Sequence, residues 1–89
     1  MNRNPADLIM SLEQAAEWRQ SLRADNKKLA VTNGCFDLLH RGHADYLYRA
    51  RNEADALLVL VNSDASVSAL KGPTRPLVDE YSRAYLLCA

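Results

Sequence analysis

The stretch Leu29-Ala30-Val31-Thr32-Asn33-Gly34-Cys35-Phe36-Asp37-Leu38-Leu39-His40-Arg41-Gly42-His43 decides the architecture. Its first five residues read as a short strand closing on Gly34. From about Gly42 to Ala54 the pattern turns helical. Leu47, Ala50 and Ala54 lie on one face, and Asp45, Arg49 and Glu53 form an i,i+4 charge ladder on another. Leu57 to Asn62 follows as a second strand, apolar on both faces as a buried parallel strand should be. Strand, helix and strand in that order make a βαβ unit, and the fold class is α/β with a parallel sheet.

Outward from this unit, Ser11-Leu12-Glu13-Gln14 has the form of a capping box. Leu12, Ala15, Trp18 and Leu22 continue at helical spacing, so a helix is expected from about Ser11 to Ala24, ended by Asp25-Asn26-Lys27-Lys28. The first ten residues read as a polar lead-in. After the second strand a short helix is expected from about Asp64 to Leu70. Lys71-Gly72-Pro73-Thr74-Arg75-Pro76 then reads as a loop, and a last helix begins near Asp79. Residues 1–28 thus form a lead-in and helix, and 29–89 the α/β portion. Two parallel strands cannot complete a sheet, so the sequence is expected to be the N-terminal part of a larger domain, or to be completed by a partner subunit.

Composition narrows the function classes. The 89 residues are 48% hydrophobic and 25% charged, as in an ordinary globular chain. Eleven basic and eleven acidic residues cancel, which leaves no general footprint for nucleic acid or a membrane surface. The longest apolar run, Ala56 to Val61, is far short of the roughly 20 residues of a membrane helix. Cys35 and Cys88 lack metal-ligand spacing and disulfide density, and a reducing, cytoplasmic setting is expected. The zero total hides one local excess: Ala65 to Val78 holds Lys71 and Arg75 and no acid.

In an open α/β sheet, ligands bind beyond the carboxyl ends of the strands. Two histidines, an arginine and a glycine converge there. Gly42 permits a tight turn into the helix, whose N-terminus offers N–H groups and partial positive charge to a phosphate. The three glycines, Gly34, Gly42 and Gly72, form neither a GxGxxG fingerprint nor a P-loop. Three readings stay open on the residues alone. His40 and His43 bind phosphate; or, with Asp37, they bind zinc or iron; or His40 caps a turn and His43 lies on the surface.

The segment Thr32 to His43 resembles the signature of the cytidylyltransferase-like nucleotidyltransferases, in which H-x-G-H follows a G-x-F-D-x-x-H approach. Val61-Asn62-Ser63-Asp64-Ala65-Ser66 and Leu70-Lys71-Gly72-Pro73-Thr74-Arg75-Pro76 are similar to two further motifs of the adenylyltransferase domain of the bifunctional heptose-phosphate enzymes. The resemblance covers about Leu29 to the end. It implies a Rossmann-like nucleotidyltransferase fold. It also implies transfer of AMP from ATP, accompanied by Mg²⁺, to a sugar 1-phosphate such as D-glycero-D-manno-heptose 1-phosphate, with release of pyrophosphate. The family's later I-S-S-T motif has no counterpart in these residues, which again implies the front half of a larger domain.

By matching positions, the resemblance implies that His40, His43 and Lys71 stabilise the charge that builds on the triphosphate. It places Asn33, Gly34, Cys35, Phe36, Gly42 and Arg83 at the nucleotide, and Asp37, Asn62, Asp64 and Arg75 at the acceptor. For Asp37 the plainer reading is a loop cap for the helix that follows, and for Phe36 a packing role. Cys35 reads as a small hydrophobe and Cys88 as core. The implied partners are ATP and a sugar phosphate, with a homo-oligomer left open. Alternatives are a cytidylyltransferase acting on glycerol phosphate or a phospho-alcohol, a non-catalytic nucleotide-binding module, and a His-Asp metal hydrolase.

Overall fold

A computed structural model describes residues 4–89; Met1–Arg3, the start of the expected lead-in, lie outside the described residues. The element order is α1 (Leu12–Ala24), β1 (Leu29–Gly34), α2 (Arg41–Asn52), β2 (Ala56–Val61), α3 (Asp64–Lys71) and α4 (Glu80–Cys88). The lead-in is not wholly irregular. Pro5–Leu8 form a 3₁₀ turn in which the Asn4 side chain accepts a hydrogen bond from the Ala6 N–H.

β1 and β2 pair in parallel with α2 between them, in the register Leu29↔Ala56 through Gly34↔Val61. The expected βαβ unit of an α/β fold is therefore present. Both ends of the strand pair are pinned. At the start, the Lys28 N–H donates to Asp55 Oδ2 at 2.7 Å, and the Lys28 carbonyl accepts from the Asp55 and Ala56 N–H groups. These bonds bring the strand in at Ala56 and stop α2 at Asn52, two residues short of the sequence expectation. At the carboxyl end, the Asn62 N–H donates to the Gly34 carbonyl at 3.0 Å.

The helix starts are set by side-chain caps. Ser11 and Gln14 form the expected reciprocal box, at 3.1 Å and 2.8 Å. Ser63 caps α3 and Asp79 caps α4, each accepting from the backbone three residues on. Asp45 and Arg49 pair at 3.0 Å on α2, but both side chains are well exposed and such a pair contributes little.

Burial is concentrated at the carboxyl ends of the strands. Among the described residues the buried ones are Thr32, Phe36, Asp37, Val67 and Arg83, and the last two are fully enclosed. β2 was expected to be buried on both faces and is only half-buried, with Leu60 exposed. Its residues line an open groove of about 820 Å³ bordered by the 3₁₀ turn, α1 and α4. No described helix is long and apolar enough to cross a membrane.

The capping box on α1 gives a direct check. Ser11→Ala removes the acceptor for the Gln14 N–H and should destabilise the protein by about 1 kcal/mol in denaturant unfolding.

Candidate active site

The turn from β1 into α2 begins with a costly conformation. Phe36 has φ of 51°, in the left-handed region that a bulky residue rarely adopts. Its ring is buried and lies over Gly34, where an added Cβ would stand 2.9 Å from the ring. Gly34 is therefore required by close approach rather than by its own dihedral angles. The other edge of the Phe36 ring meets His43, with centroids 5.5 Å apart in a T-shaped arrangement.

His40 is the N-cap of α2, and the two histidines form a reciprocal box. His40 Nδ1 accepts from the Gly42 N–H at 3.0 Å, and His43 Nδ1 accepts from the His40 N–H at 3.3 Å. An Nδ1 that accepts carries no proton, so in the neutral ring the proton sits on Nε2. The fold thereby fixes the tautomer of both imidazoles. The rings lie 4.1 Å apart, centroid to centroid, and neither Nε2 is hydrogen-bonded among the described residues. Gly42 is required here, because a Cβ would stand 2.7 Å from His40 Cε1.

This geometry revises one expectation. The Gly42 and His43 N–H groups are not left open at the helix start. The first donates to His40 Nδ1 and the second to the His40 carbonyl. What has no hydrogen-bond partner among the described residues is a pair of imidazole Nε2–H donors. Capping and ligand-binding readings of His40 are thus both compatible with one ring, through different nitrogens. His43 is half-buried, and its pKa is lowered first by burial and then by the charges of His40 and Lys71. Lys71 is exposed at the last position of α3, and its charge contributes to lowering the His43 pKa.

Asp37 and Arg75, both expected at the acceptor, are joined to each other. Asp37 is 4% exposed, and its carboxylate accepts from the Leu77 and Val78 N–H groups at 2.9–3.0 Å and from Arg75 Nε at 2.5 Å. Burial alone would raise its pKa. The two backbone N–H groups and the Arg75 guanidinium overcome that and hold it at about 2. Asp37 therefore clasps the segment before α4 and caps nothing in its own loop. The zinc or iron reading loses its third ligand, and no group of three or more His, Cys, Asp or Glu side chains suited to a metal occurs among the described residues.

Arg83 was expected to face the nucleotide or an acceptor phosphate. It is 0% exposed, and its guanidinium is committed to protein acceptors: Nε to the Val78 carbonyl, Nη1 to the Cys35 carbonyl and Nη2 to Asp64 Oδ1, at 2.6–2.8 Å. Asp64, expected at the acceptor, is held by that bond, and its N–H donates to Glu80 Oε1 at 2.9 Å. Asn62 Nδ2 donates to Ser66 Oγ, while Asn33 is exposed at the end of β1. Cys35 and Cys88 are free and half-buried, and burial raises the Cys88 pKa.

Sequence reasoning missed the α3–α4 clasp and the hydrogen bond between Thr32 Oγ1 and Tyr46 Oη at 2.7 Å, which ties α2 to β1. A signal for the clasp existed: Glu80 and Arg83, three apart, share one helix face.

Residues 31–88 match the cytidylyltransferase-like family. Among curated proteins, the chain is 48% identical over 84 residues to the bifunctional protein HldE of Methylobacillus flagellatus, covering 94% of this chain and 17% of that protein. It is 51% identical over 81 residues to the bifunctional protein HldE of Helicobacter pylori, covering 91% of this chain and 16% of that one. For the Pseudomonas putida protein of the same name the identity is 54% over 69 residues, 78% of this chain and 15% of the relative. The chain spans about a sixth of the length of these relatives.

Two titrations check the site. By NMR, His43 should titrate below the ordinary value of 6.5, and Lys71→Gln should move its midpoint up by removing a charge that opposes protonation. A depressed carboxylate stabilises the fold above its unfolded pKa, and that contribution fades as pH falls through the folded value. Asp37→Asn should therefore lower Tm at neutral pH and flatten the loss of stability between pH 3.8 and about 2, measured by thermal melts across that range.

Proposed function

Because the chain belongs to the cytidylyltransferase-like family, we propose that it is part of a nucleotidyltransferase that moves AMP from ATP to a sugar 1-phosphate. The observation that carries this reading is the histidine pair at the start of α2, with both Nδ1 atoms bonded within the helix start and both Nε2–H groups without a partner among the described residues. Two imidazole donors side by side suit a triphosphate, on which charge builds during transfer.

In the proposed reaction a phosphate oxygen of the sugar phosphate attacks the α-phosphorus of ATP. The bond from that phosphorus to the oxygen bridging to the β-phosphate breaks, and pyrophosphate leaves with the electron pair. The product is an ADP-sugar, and no covalent intermediate on the protein is required. His40 and His43 donate from Nε2 to the phosphate oxygens, and exposed Lys71 adds positive charge beside them. Asn33 and the backbone from Gly34 to Phe36 border the same end of the sheet. Arg83, Asp37 and Arg75 act within the protein, shaping the turn and the loop. The identity to the HldE proteins supports a sugar phosphate as the acceptor, and a heptose 1-phosphate is the one this reading takes.

Mg²⁺ prefers oxygen ligands and retains several waters. The imidazole pair does not suit it, Asp37 is closed off, and Asp64 Oδ1 is bonded to Arg83. The described residues do not form a cradle for a resident ion, so Mg²⁺ is read as arriving on the triphosphate, as part of the substrate.

The test is pyrophosphate release by the intact protein with Mg²⁺ and either ATP or CTP, against heptose 1-phosphate and glycerol phosphate. ATP with the heptose phosphate is the expected pair. Turnover with CTP alone would replace it with the cytidylyltransferase reading, and nucleotide binding without turnover would indicate a non-catalytic module. His43→Ala should reduce turnover by roughly 10²- to 10³-fold, the cost of removing one preorganised donor.

A further inference from the structure

A fully buried arginine is the least expected residue in so small a structure, and its three acceptors belong to three different segments. We propose that Arg83 is a positioning residue that aligns both halves of the phosphate-facing site, the histidine pair through the Cys35 carbonyl and the Lys71-bearing helix through Asp64.

The first arm runs through the turn. Nη1 holds the Cys35 carbonyl at 2.6 Å, and the next residue is Phe36 in its left-handed conformation. Such a conformation persists only where the surroundings over-determine it. The fixed carbonyl on one side and the Asp37 clasp on the other supply that determination. The Phe36 ring, so placed, rests edge-on against His43. The orientation of His43, and through the reciprocal box that of His40, thus depends on a bond made by α4.

The second arm runs through α3. Nη2 bonds Asp64 Oδ1 at 2.7 Å while Glu80 accepts from the Asp64 N–H, so one face of α4 grips the first residue of α3 by side chain and backbone together. That helix is eight residues long and ends at Lys71, whose charge reaches His43. Nε, on the Val78 carbonyl at 2.8 Å, anchors the guanidinium to the segment that Asp37 clasps. Three acceptors in different directions match a planar guanidinium fork and not a single ammonium. A lysine would keep the charge and lose the alignment.

This inference rests on the nucleotidyl-transfer reading for its kinetic arm only. In the intact protein, Arg83→Lys should lower kcat on the order of 10- to 100-fold, the scale of a misplaced catalytic group, with the nucleotide KM changed little. The ¹⁵N spectra of His43 should lose the pattern of a ring protonated only at Nε2. A folded Arg83→Lys protein with unchanged kcat and unchanged histidine spectra, and only a lower Tm, would overturn the proposal. Should Arg83→Lys fail to fold, Asp64→Ala cuts the second arm alone at a half-exposed side chain. It should lower kcat several-fold at constant KM and raise the His43 midpoint, since among the charged groups felt there, His40 and Lys71, the lysine would no longer be held in place. No change in either readout would overturn the proposal. If the wild-type protein transfers no nucleotide, the functional reading fails, and the histidine spectra of the two variants decide this inference by themselves.

Discussion

A carboxylate taken out of water must find hydrogen-bond donors, and the site end of this structure depends on how Asp37 does so. Its oxygens reach across about forty residues of sequence to the Leu77 and Val78 N–H groups and to Arg75. Nothing nearer in the chain satisfies it. This one requirement folds the loop after α3 back over the β1–α2 turn and sets the entry to α4. Arg83 then meets the opposite demand, a buried cation in need of acceptors, and takes two of them from the segments that Asp37 has brought together. With only Phe36 and Val67 as buried apolar side chains among the described residues, ionic and hydrogen-bonded closure does at this end what a larger apolar core does elsewhere.

The imidazole pair owes its chemistry to the same economy of groups. A helix start ordinarily presents backbone N–H groups to an anion. Here those at Gly42 and His43 are consumed internally, and the donors are moved outward onto side chains. The reach of the site is thereby extended beyond the backbone, and its donors become titratable. Burial against Phe36 and the neighbouring positive charges keep His43 neutral to lower pH than a free imidazole, so the Nε2–H form persists across neutral conditions.

Much of this was legible in the sequence because it is local. The βαβ unit, the Ser11–Gln14 box and the approximate starts of α3 and α4 follow from periodicity and from residue types a few positions apart. The importance of the Asn33–His43 turn could be read in the same way. The roles of Asp37, Arg75 and Arg83 could not. Resemblance placed all three at ligands, and the structure shows their charged groups bonded to partners within the protein at sequence separations of 5 to 48. Spacing along a chain carries no information about such partners. The half-exposure of β2 was missed for a related reason: composition reports what a strand is suited to pack against, not which elements come to lie on it.

The division of labour within each histidine ring has a consequence for inheritance. One nitrogen serves the helix and the other is left without a partner among the described residues, so under the proposed function a substitution at position 40 or 43 is judged twice, once by the backbone and once by the ligand. Asparagine can offer an acceptor near the place of Nδ1, and glutamine can offer a donor near that of Nε2, but neither does both. Gly42 narrows the choice again by leaving no room for a displaced ring beside it. Substitution at these three positions therefore disturbs the start of α2 as well as the imidazole pair.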